Sequence, residues 1–582
     1  MTFLFILVGV AMLIVAFVAI HDLTQRKHAI TRNFPVLGHF RYWFEELGQP
    51  LRQYLFAGDR DERPYNRVTR SWVYASAKGQ NNLVGFGSQA DHQELGRILI
   101  IPSLYPTLAR PAARENDLPR PRLIGAKRGL PYQPRRFANI SGMSFGALSA
   151  NAVRALSRGA RLAGCYMSTG EGSLSPYHLE GDCDILYQIG PAKFGCRTED
   201  GQFDDQKARA IIALPQVKMV EIKLGQGAKP GKGGLLPKEK ITSEIAAIRG
   251  IPMGVDCHSP NGFGEFHDAP SLLDFIARVR KLTAKPVGLK MVVGSIGEIA
   301  ELCRAIREHG DGPDFIAVDG KEGGSGAAPL SLAEHVGLPL RDGLVAVDNA
   351  LRREGLRDEV CVIASGKIAT GADVATNIAL GADLVHIGRG FMFSLGCIQA
   401  MRCHTNTCPT GVATQSRWLQ AGLDPADKSV RVRNYALALE RDLQMITHAC
   451  GLTHPAELNR MHLAMNISPG VRKALPRSTR TRCAIDLTAD ALRLDGSTAN
   501  QPTRDLRGWR RRRRPSDPPA TGAAHLRRVA DWIGRRRLRS IRCRWRSSTL
   551  GSRDWWCASS SGQPRPLTGL SPVIRIISLT YE

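Results

Sequence analysis

Three cysteines at spacings of x5 and x4, Cys397-Ile-Gln-Ala-Met-Arg-Cys403-His-Thr-Asn-Thr-Cys408, lie beside a Pro/Gly-bearing turn, just past a strand-like segment, Asp383-Leu-Val-His-Ile-Gly388. Thiolate is the soft ligand of iron–sulfur clusters, which closely spaced cysteines usually hold. Four ligands complete a four-iron cube; three suit a three-iron cluster or a fourth ligand from elsewhere. On spacing alone, three reduced structural cysteines of a cytosolic protein read the same way. Other chemistry-bearing residues recur upstream, each just after a short apolar run. Met143 and Ser144 lie in Ser141-Gly-Met-Ser-Phe-Gly, and Thr169 and Glu171 in Ser168-Thr-Gly-Glu-Gly172. Lys223, Gln226 and Lys229 share the string Lys223-Leu-Gly-Gln-Gly-Ala-Lys-Pro-Gly231, and Lys290 ends another run. Asp319, Gly320, Gly323 and Gly324 follow, then Gly366, Gly388 and Arg389. Glycine at a strand end lets backbone N–H groups approach an anion with no Cβ in the way.

The runs that position these residues are Phe137–Gly142, Cys165–Thr169, Ala192–Cys196, Val217–Leu224, Val287–Val293, Asp314–Val318, Cys361–Ser365 and Leu384–Gly388. Amphipathic, helix-like segments such as Leu272–Leu282 and Ile296–Glu308 lie between them. That alternation implies parallel strands joined by crossover helices. Eight units over about 250 residues predict an α/β fold, a (β/α)8 TIM barrel. A doubly wound open sheet is the competing arrangement. In a barrel the loops after the strands carry the chemistry, and those after strands seven and eight commonly grip phosphate. A phosphorylated cofactor is the expectation.

At 582 residues the chain has room for a large domain plus extensions, and its 13 cysteines are too sparse for a disulfide scaffold. The net charge of +26 is concentrated: residues 501–582 hold 19 arginines, no lysine, five acids and five of the eight tryptophans. Such text has neither helical nor strand period, so 490–582 is expected to be a disordered basic tail, or else a polyelectrolyte arm. A nucleic-acid role would rest on that tail alone and is not expected. Phe3 to Ile20 runs 18 residues without charge or proline, close to the minimum for one bilayer crossing. Arg26, Lys27, His28 and Arg32 follow it, and no A-x-A cleavage site does. This favours an uncleaved anchor (3–20) over a signal peptide and puts the rest in the cytoplasm, as a single-pass membrane protein. Residues 21–130 read as a juxtamembrane lead-in, and 131–480 as the barrel with its cysteine loop.

From about Asn139 to Gln415 the chain resembles the FMN-binding synthase domain of glutamate synthase. The matching blocks are Gly142-Met-Ser-Phe-Gly-Ala, Ser168-Thr-Gly-Glu-Gly, Lys223-Leu-Gly-Gln-Gly-Ala-Lys-Pro-Gly, Asp319-Gly-Lys-Glu-Gly-Gly-Ser-Gly-Ala and the cysteine block ending Gly411-Val-Ala-Thr-Gln. The resemblance implies bound FMN, a [3Fe-4S] cluster on Cys397, Cys403 and Cys408, and reductive formation of glutamate from 2-oxoglutarate through 2-iminoglutarate. It implies that Lys290 faces the flavin where charge builds on reduction, and that Gly366, Gly388 and Arg389 hold its phosphate. Gln226 and Lys229 would bind the dicarboxylate, with Glu171 and Lys223 completing the polar wall. The chain departs from the family in its start: an anchor and lead-in replace a glutaminase domain with an N-terminal cysteine, so ammonia would come from solution or from a glutaminase partner. It also has Ala364-Ser-Gly where Asp-Gly-Gly is usual, and Asn261-Gly-Phe-Gly-Glu-Phe266 where a Pro/His-rich segment is expected. No strand–GxGxxG–helix unit is found, which points to an external electron donor, a ferredoxin or a flavoprotein subunit. The alternatives are a related flavin/iron–sulfur oxidoreductase with another amino donor or 2-oxo acid, and a membrane electron-transfer or scaffold protein without turnover.

Overall fold

The computed structural model describes residues 1–108, 119–468 and 470–475. Eight parallel strands close into a barrel: β1 (Ala138–Ile140), β2 (Tyr166–Ser168), β3 (Asp184–Ile189), β4 (Val217–Lys223), β5 (Val287–Met291), β6 (Phe315–Asp319), β7 (Cys361–Ser365) and β8 (Leu384–Ile387). Side chains alternate across each strand, and β6 displays the consequence. Phe315 and Ala317 point into the barrel with Tyr166, Leu186, Met219 and Ile363, while Ile316 and Val318 join the layer beneath the helices. Both faces are therefore dry, and the strands read as near-continuous apolar runs. The paired Ile124 and Tyr132 belong to the same inner cluster.

One expected strand is corrected. The third strand is Asp184–Ile189, and the apolar run Ala192–Cys196 lies in the loop after it. Pro191 supplies no N–H to a ladder. Lys193 and Gly195 take φ of 50° and 81°, which a strand cannot accommodate. The helix-like segments form as expected, at Ala269–Arg280 and Ile296–His309.

The apolar N-terminus is a helix, α1 (Thr2–Thr24), long and apolar enough to cross a membrane. The lead-in is more than a spacer. Its helix α2 (Arg67–Lys78), N-capped by Asn66, brings Trp72 to the edge of Tyr435 and Tyr74 to the edge of Phe393. The barrel helix α3 (Ala150–Ala163) packs on a 25-residue C-terminal helix so closely that a Cβ on Gly159 would overlap Val432. That C-terminal helix, Pro425–Ala449, also receives α2 and the short α4 (Arg389–Ser394). Ile98–Ile100 joins Leu463–Ser468 and Val471–Ala474 in a small antiparallel sheet. The expectation for 490–582 lies outside the described residues.

Candidate active site

Strand register does the first positioning. Lys223 on β4 stands beside Lys290 on β5, and Asp319 on β6 beside Ser365 on β7. Two ammonium groups on adjacent strand ends repel unless each has its own counter-charge. Lys223 Nζ lies 3.1 Å from Glu171 Oε2, and Lys290 Nζ lies 3.7 Å from Asp319 Oδ2. Lys223 also donates to Gln226 Oε1 at 2.8 Å, so it ties the loop after β2 to its own. Burial raises the Glu171 carboxyl, but the nearby Lys223, Lys229 and Arg249 cations outweigh it and hold it below the usual carboxylate range. Lys229 is buried and donates to Ala327 O at 3.0 Å; burial lowers its ammonium, with Glu171 opposing.

Asp319 organises the opposite side. Its Oδ2 accepts from Gly227 N at 2.9 Å and its Oδ1 from Ser365 Oγ at 2.8 Å. Gly227 must be glycine, since a Cβ there would overlap the Gly320 carbonyl. Gly320 N donates to Ser365 O and Gly323 N to Gly320 O, both at 2.8 Å. Gly366 has φ of 135°, open in practice to glycine. Arg389 donates to Glu322 O, borders Gly324, and lies 4.9 Å over the ring of Tyr65. At the β1 and β2 ends, Met143 borders Gly388, Ser144 Oγ accepts from Arg249 at 3.3 Å, and Thr169 Oγ1 accepts from Gln188 N at 3.1 Å. The strand-end residues named from the sequence thus converge on one end of the barrel.

Three participants were not anticipated. Gln188 and Glu221 are register partners on β3 and β4, and the Gln188 amide donates to Glu221 Oε1. Glu221 Oε2 has no partner among the described residues, and burial raises that carboxyl against the pull of Lys290. A polar residue between two apolar neighbours, Gln188 between Tyr187 and Ile189 and Glu221 between Val220 and Ile222, was the available signal. Arg249, which also donates to Phe145 O at 2.9 Å, comes from a helix with no motif to mark it.

The cysteine loop follows α4. Burial pushes the Cys397 thiol up to about 12, with Cys403 and Cys408 adding to the shift; Cys403 is raised by burial and then by Cys408. Among the described residues, no three His, Cys, Asp or Glu side chains converge as ligands of a single metal ion. A cluster spreads its thiolates over several irons and asks for a wider set. Beneath the loop, Lys240 donates to Ala147 O at 2.7 Å and to Cys403 O and Ala413 O at 3.1 Å. Burial lowers its ammonium to about 8, opposed by Cys403 and Cys408. From the lead-in, Tyr74 donates to Cys397 O at 2.7 Å and Gln53 to Ile398 O at 2.9 Å. A separate cavity of about 110 Å³, lined by Arg357, Asp348 and Arg460 among others, contains none of these residues. Its arginines are matched internally, Arg357 and Arg460 both bonding Asp348.

A family model described as the conserved region in glutamate synthase matches residues 132–453. The glutamate synthase large subunit-like protein YerD of Bacillus subtilis is 38% identical over 500 residues, covering 80% of this chain and 95% of that relative. The archaeal glutamate synthase (NADPH) of Methanocaldococcus jannaschii is 40% identical over 319 residues, 54% of this chain and 58% of the relative. The chain thus spans nearly all of the first relative and little more than half of the second. Among solved structures, a mandelate oxidase aligns at a TM-score of 0.38 and 16% identity, covering 74% of this chain and 99% of the other, too distant a likeness to bear on function. The matched stretch contains every strand of the barrel and all three loop cysteines, and on it the chain belongs to the glutamate synthase family.

Proposed function

We propose that this oxidoreductase of glutamate synthase type carries FMN at the strand ends and a [3Fe-4S] cluster on Cys397, Cys403 and Cys408, and forms glutamate from 2-oxoglutarate and ammonia through 2-iminoglutarate. The observation that carries the reading is the Glu171–Lys223–Gln226 network, which joins the loops after β2 and β4, together with the Lys290–Asp319 pair on the neighbouring strand ends. These residues suit FMN: Lys290 is a cation at the barrel end, Glu221 Oε2 is a buried polar atom without a partner among the described residues, and a Cβ on Gly388 would meet only Ser141 and Met143, at 3.7 and 3.8 Å, which leaves room beside its backbone for a phosphate. Three soft thiols beside a buried ammonium suit an anionic cluster.

Bound FMN would supply hydride chemistry and the cluster one-electron transfer from an external donor, a ferredoxin or a flavoprotein subunit. The protein's own groups bind and orient. The Lys229 ammonium and the Gln226 amide take the carboxylates of the 2-oxo acid. Glu171, held as a carboxylate, fixes the Lys223 ammonium and offers an acceptor to the incoming amine. Helix α1 anchors the enzyme to a membrane, with the barrel on the cytoplasmic side.

The direct test is anaerobic. Chemically reduced protein given 2-oxoglutarate and ammonia is expected to yield glutamate, and the Lys229→Ala variant to reduce equally well while its KM for 2-oxoglutarate rises about 10- to 150-fold. That range is the ~1.5–3 kcal/mol of a hydrogen bond to a charged group. An unchanged KM would remove Lys229 from the pocket and, with it, the dicarboxylate reading.

Electron entry is separable from cofactor retention. Cys403→Ser is expected to drop bound iron to background and abolish turnover with a protein donor, since serine is a poor replacement for thiolate. Flavin absorbance should persist, because no flavin-binding position lies in the cysteine loop. Iron content equal to that of the parent would refute the ligand assignment.

A further inference from the structure

Between α1 and α2, after a short helix at Ala29–Asn33, lies a longer one, Gly38–Leu51, continued by a π-helical turn, Arg52–Phe56. At 100° per residue, Leu37, Phe40, Trp43, Phe44, Leu51 and Leu55 fall within an arc of about 120°. All six side chains are exposed, from 36% at Leu51 to 68% at Leu37 and Leu55. Arg41, Glu45, Gln49 and Arg52 occupy the opposite side, where Arg41 and Glu45 pair at 3.0 Å. An apolar face this large, left open by the described residues, marks an interaction surface.

Its position along the chain selects the partner. The helix begins 14 residues after α1 ends at Thr24, and Arg26, Lys27 and Arg32 fill the interval. A segment leaving a bilayer at that distance arrives at the headgroup layer, where basic residues meet anionic lipid and Trp and Phe are favoured. Aromatic and Leu side chains on one face with charges on the other suit a helix lying in the interface.

We propose that the Gly38–Leu51 helix lies flat in the lipid–water interface, its Leu37/Phe40/Trp43/Phe44 face in the lipid, and seats the cysteine loop over the membrane surface. The inference rests on the reading of α1 as an anchor and extends it. The connection to the loop runs through the other side of the segment: Glu46 accepts from Arg402 Nη2 at 3.2 Å, Gln53 donates to Ile398 O at 2.9 Å, and Glu62 accepts from Gln399 Nε2 at 2.8 Å. Arg402, Ile398 and Gln399 lie between Cys397 and Cys403. The same segment therefore faces lipid with one side and grips the cysteine loop with the other.

The test uses the full-length chain in phosphatidylcholine/phosphatidylglycerol vesicles, with the photo-crosslinking residue p-benzoylphenylalanine placed singly by Phe17→p-benzoylphenylalanine, Trp43→p-benzoylphenylalanine, Phe40→p-benzoylphenylalanine or Glu45→p-benzoylphenylalanine. After irradiation, mass spectrometry reads phospholipid adducts. Labelling at 17, 40 and 43, and several-fold less at 45, is the expected result. Labelling at 17 without 40 and 43 overturns the interfacial helix and leaves the anchor standing. Labelling at none of the four removes the anchor as well. Equal labelling at 43 and 45 overturns the orientation. Protein adducts at 40 and 43 in place of lipid also overturn the proposal, assigning the face to a second copy or another protein.

Discussion

Lys223→Ala is expected to destabilise the barrel by about 3 kcal/mol and to slow turnover on the order of 10²-fold or more. The pair is close and largely removed from solvent, with side-chain exposures of 9% for Lys223 and 19% for Glu171. Deleting one partner of a buried pair leaves an uncompensated charge, which typically costs about 3–5 kcal/mol. The lower end applies because Lys229 and Arg249 still act on Glu171. In the variant the Glu171 carboxyl should move upward, since its largest stabilising partner is gone. Lys223→Ala combined with Glu171→Gln removes both charges and should recover most of the lost stability but none of the turnover. Denaturant unfolding of the four proteins of this cycle checks the claim. If the double variant is as unstable as Lys223→Ala alone, the pair does not act as a charge-compensated unit. Turnover at the parent rate in Lys223→Ala would further remove β4 from the active site.

A second large effect lies away from the chemistry. Glu440, on the Pro425–Ala449 helix, accepts from Phe137 N at 2.8 Å and Ala138 N at 3.1 Å, holding the entry to β1. Burial raises this carboxyl to about 7, against the opposing pull of the Ala138 and Phe137 N–H groups and the Arg136 guanidinium. Its folded value therefore exceeds its unfolded one. Between about pH 4.5 and 7 the unfolded chain has lost a proton that the folded chain keeps. Stability from this group is full below the unfolded value and declines as pH rises through the folded value, by about 3 kcal/mol in total. Glu440→Gln keeps an acceptor for the two N–H groups and cannot ionise. It should flatten that part of the pH profile and be the more stable protein at pH 8. Parallel stability profiles for parent and variant from pH 5 to 8 would contradict the assignment.

Much of the site could be read locally. A glycine after a strand states a backbone requirement within a few residues, and Gly366 and Gly227 meet theirs through a positive φ and a close carbonyl. Three cysteines within twelve residues keep soft ligands together in whatever fold surrounds them. Apolar runs alternating with amphipathic segments fix strand and helix periods, and a right-handed crossover between parallel strands leaves few ways to close them. The period failed at Ala192–Cys196, where five compact residues resemble a strand but two positive φ values make a loop. The true strand, Asp184–Ile189, lies just before it and sets Gln188 beside Glu221 of the next strand.

What stayed out of reach depends on contacts between residues far apart in the chain. The sequence put Lys223 and Lys290 on two strand ends of one barrel, but only the β4–β5 register shows that they stand side by side. Their tolerance of each other then rests on Glu171 and Asp319, from two other loops. Lys240 and Arg249 sit in unremarkable helical text, and only packing buries their cations beneath the cysteine loop and beside Ser144. The lead-in read only as juxtamembrane because composition reports which residues a segment has but not the surface it covers. Local rules of backbone conformation and hydrophobic period thus dictated the barrel and its chemically equipped end. Charge pairing, burial and the grip of the lead-in on the cysteine loop arose on folding, when register and helix packing brought residues up to 374 positions apart within hydrogen-bond distance.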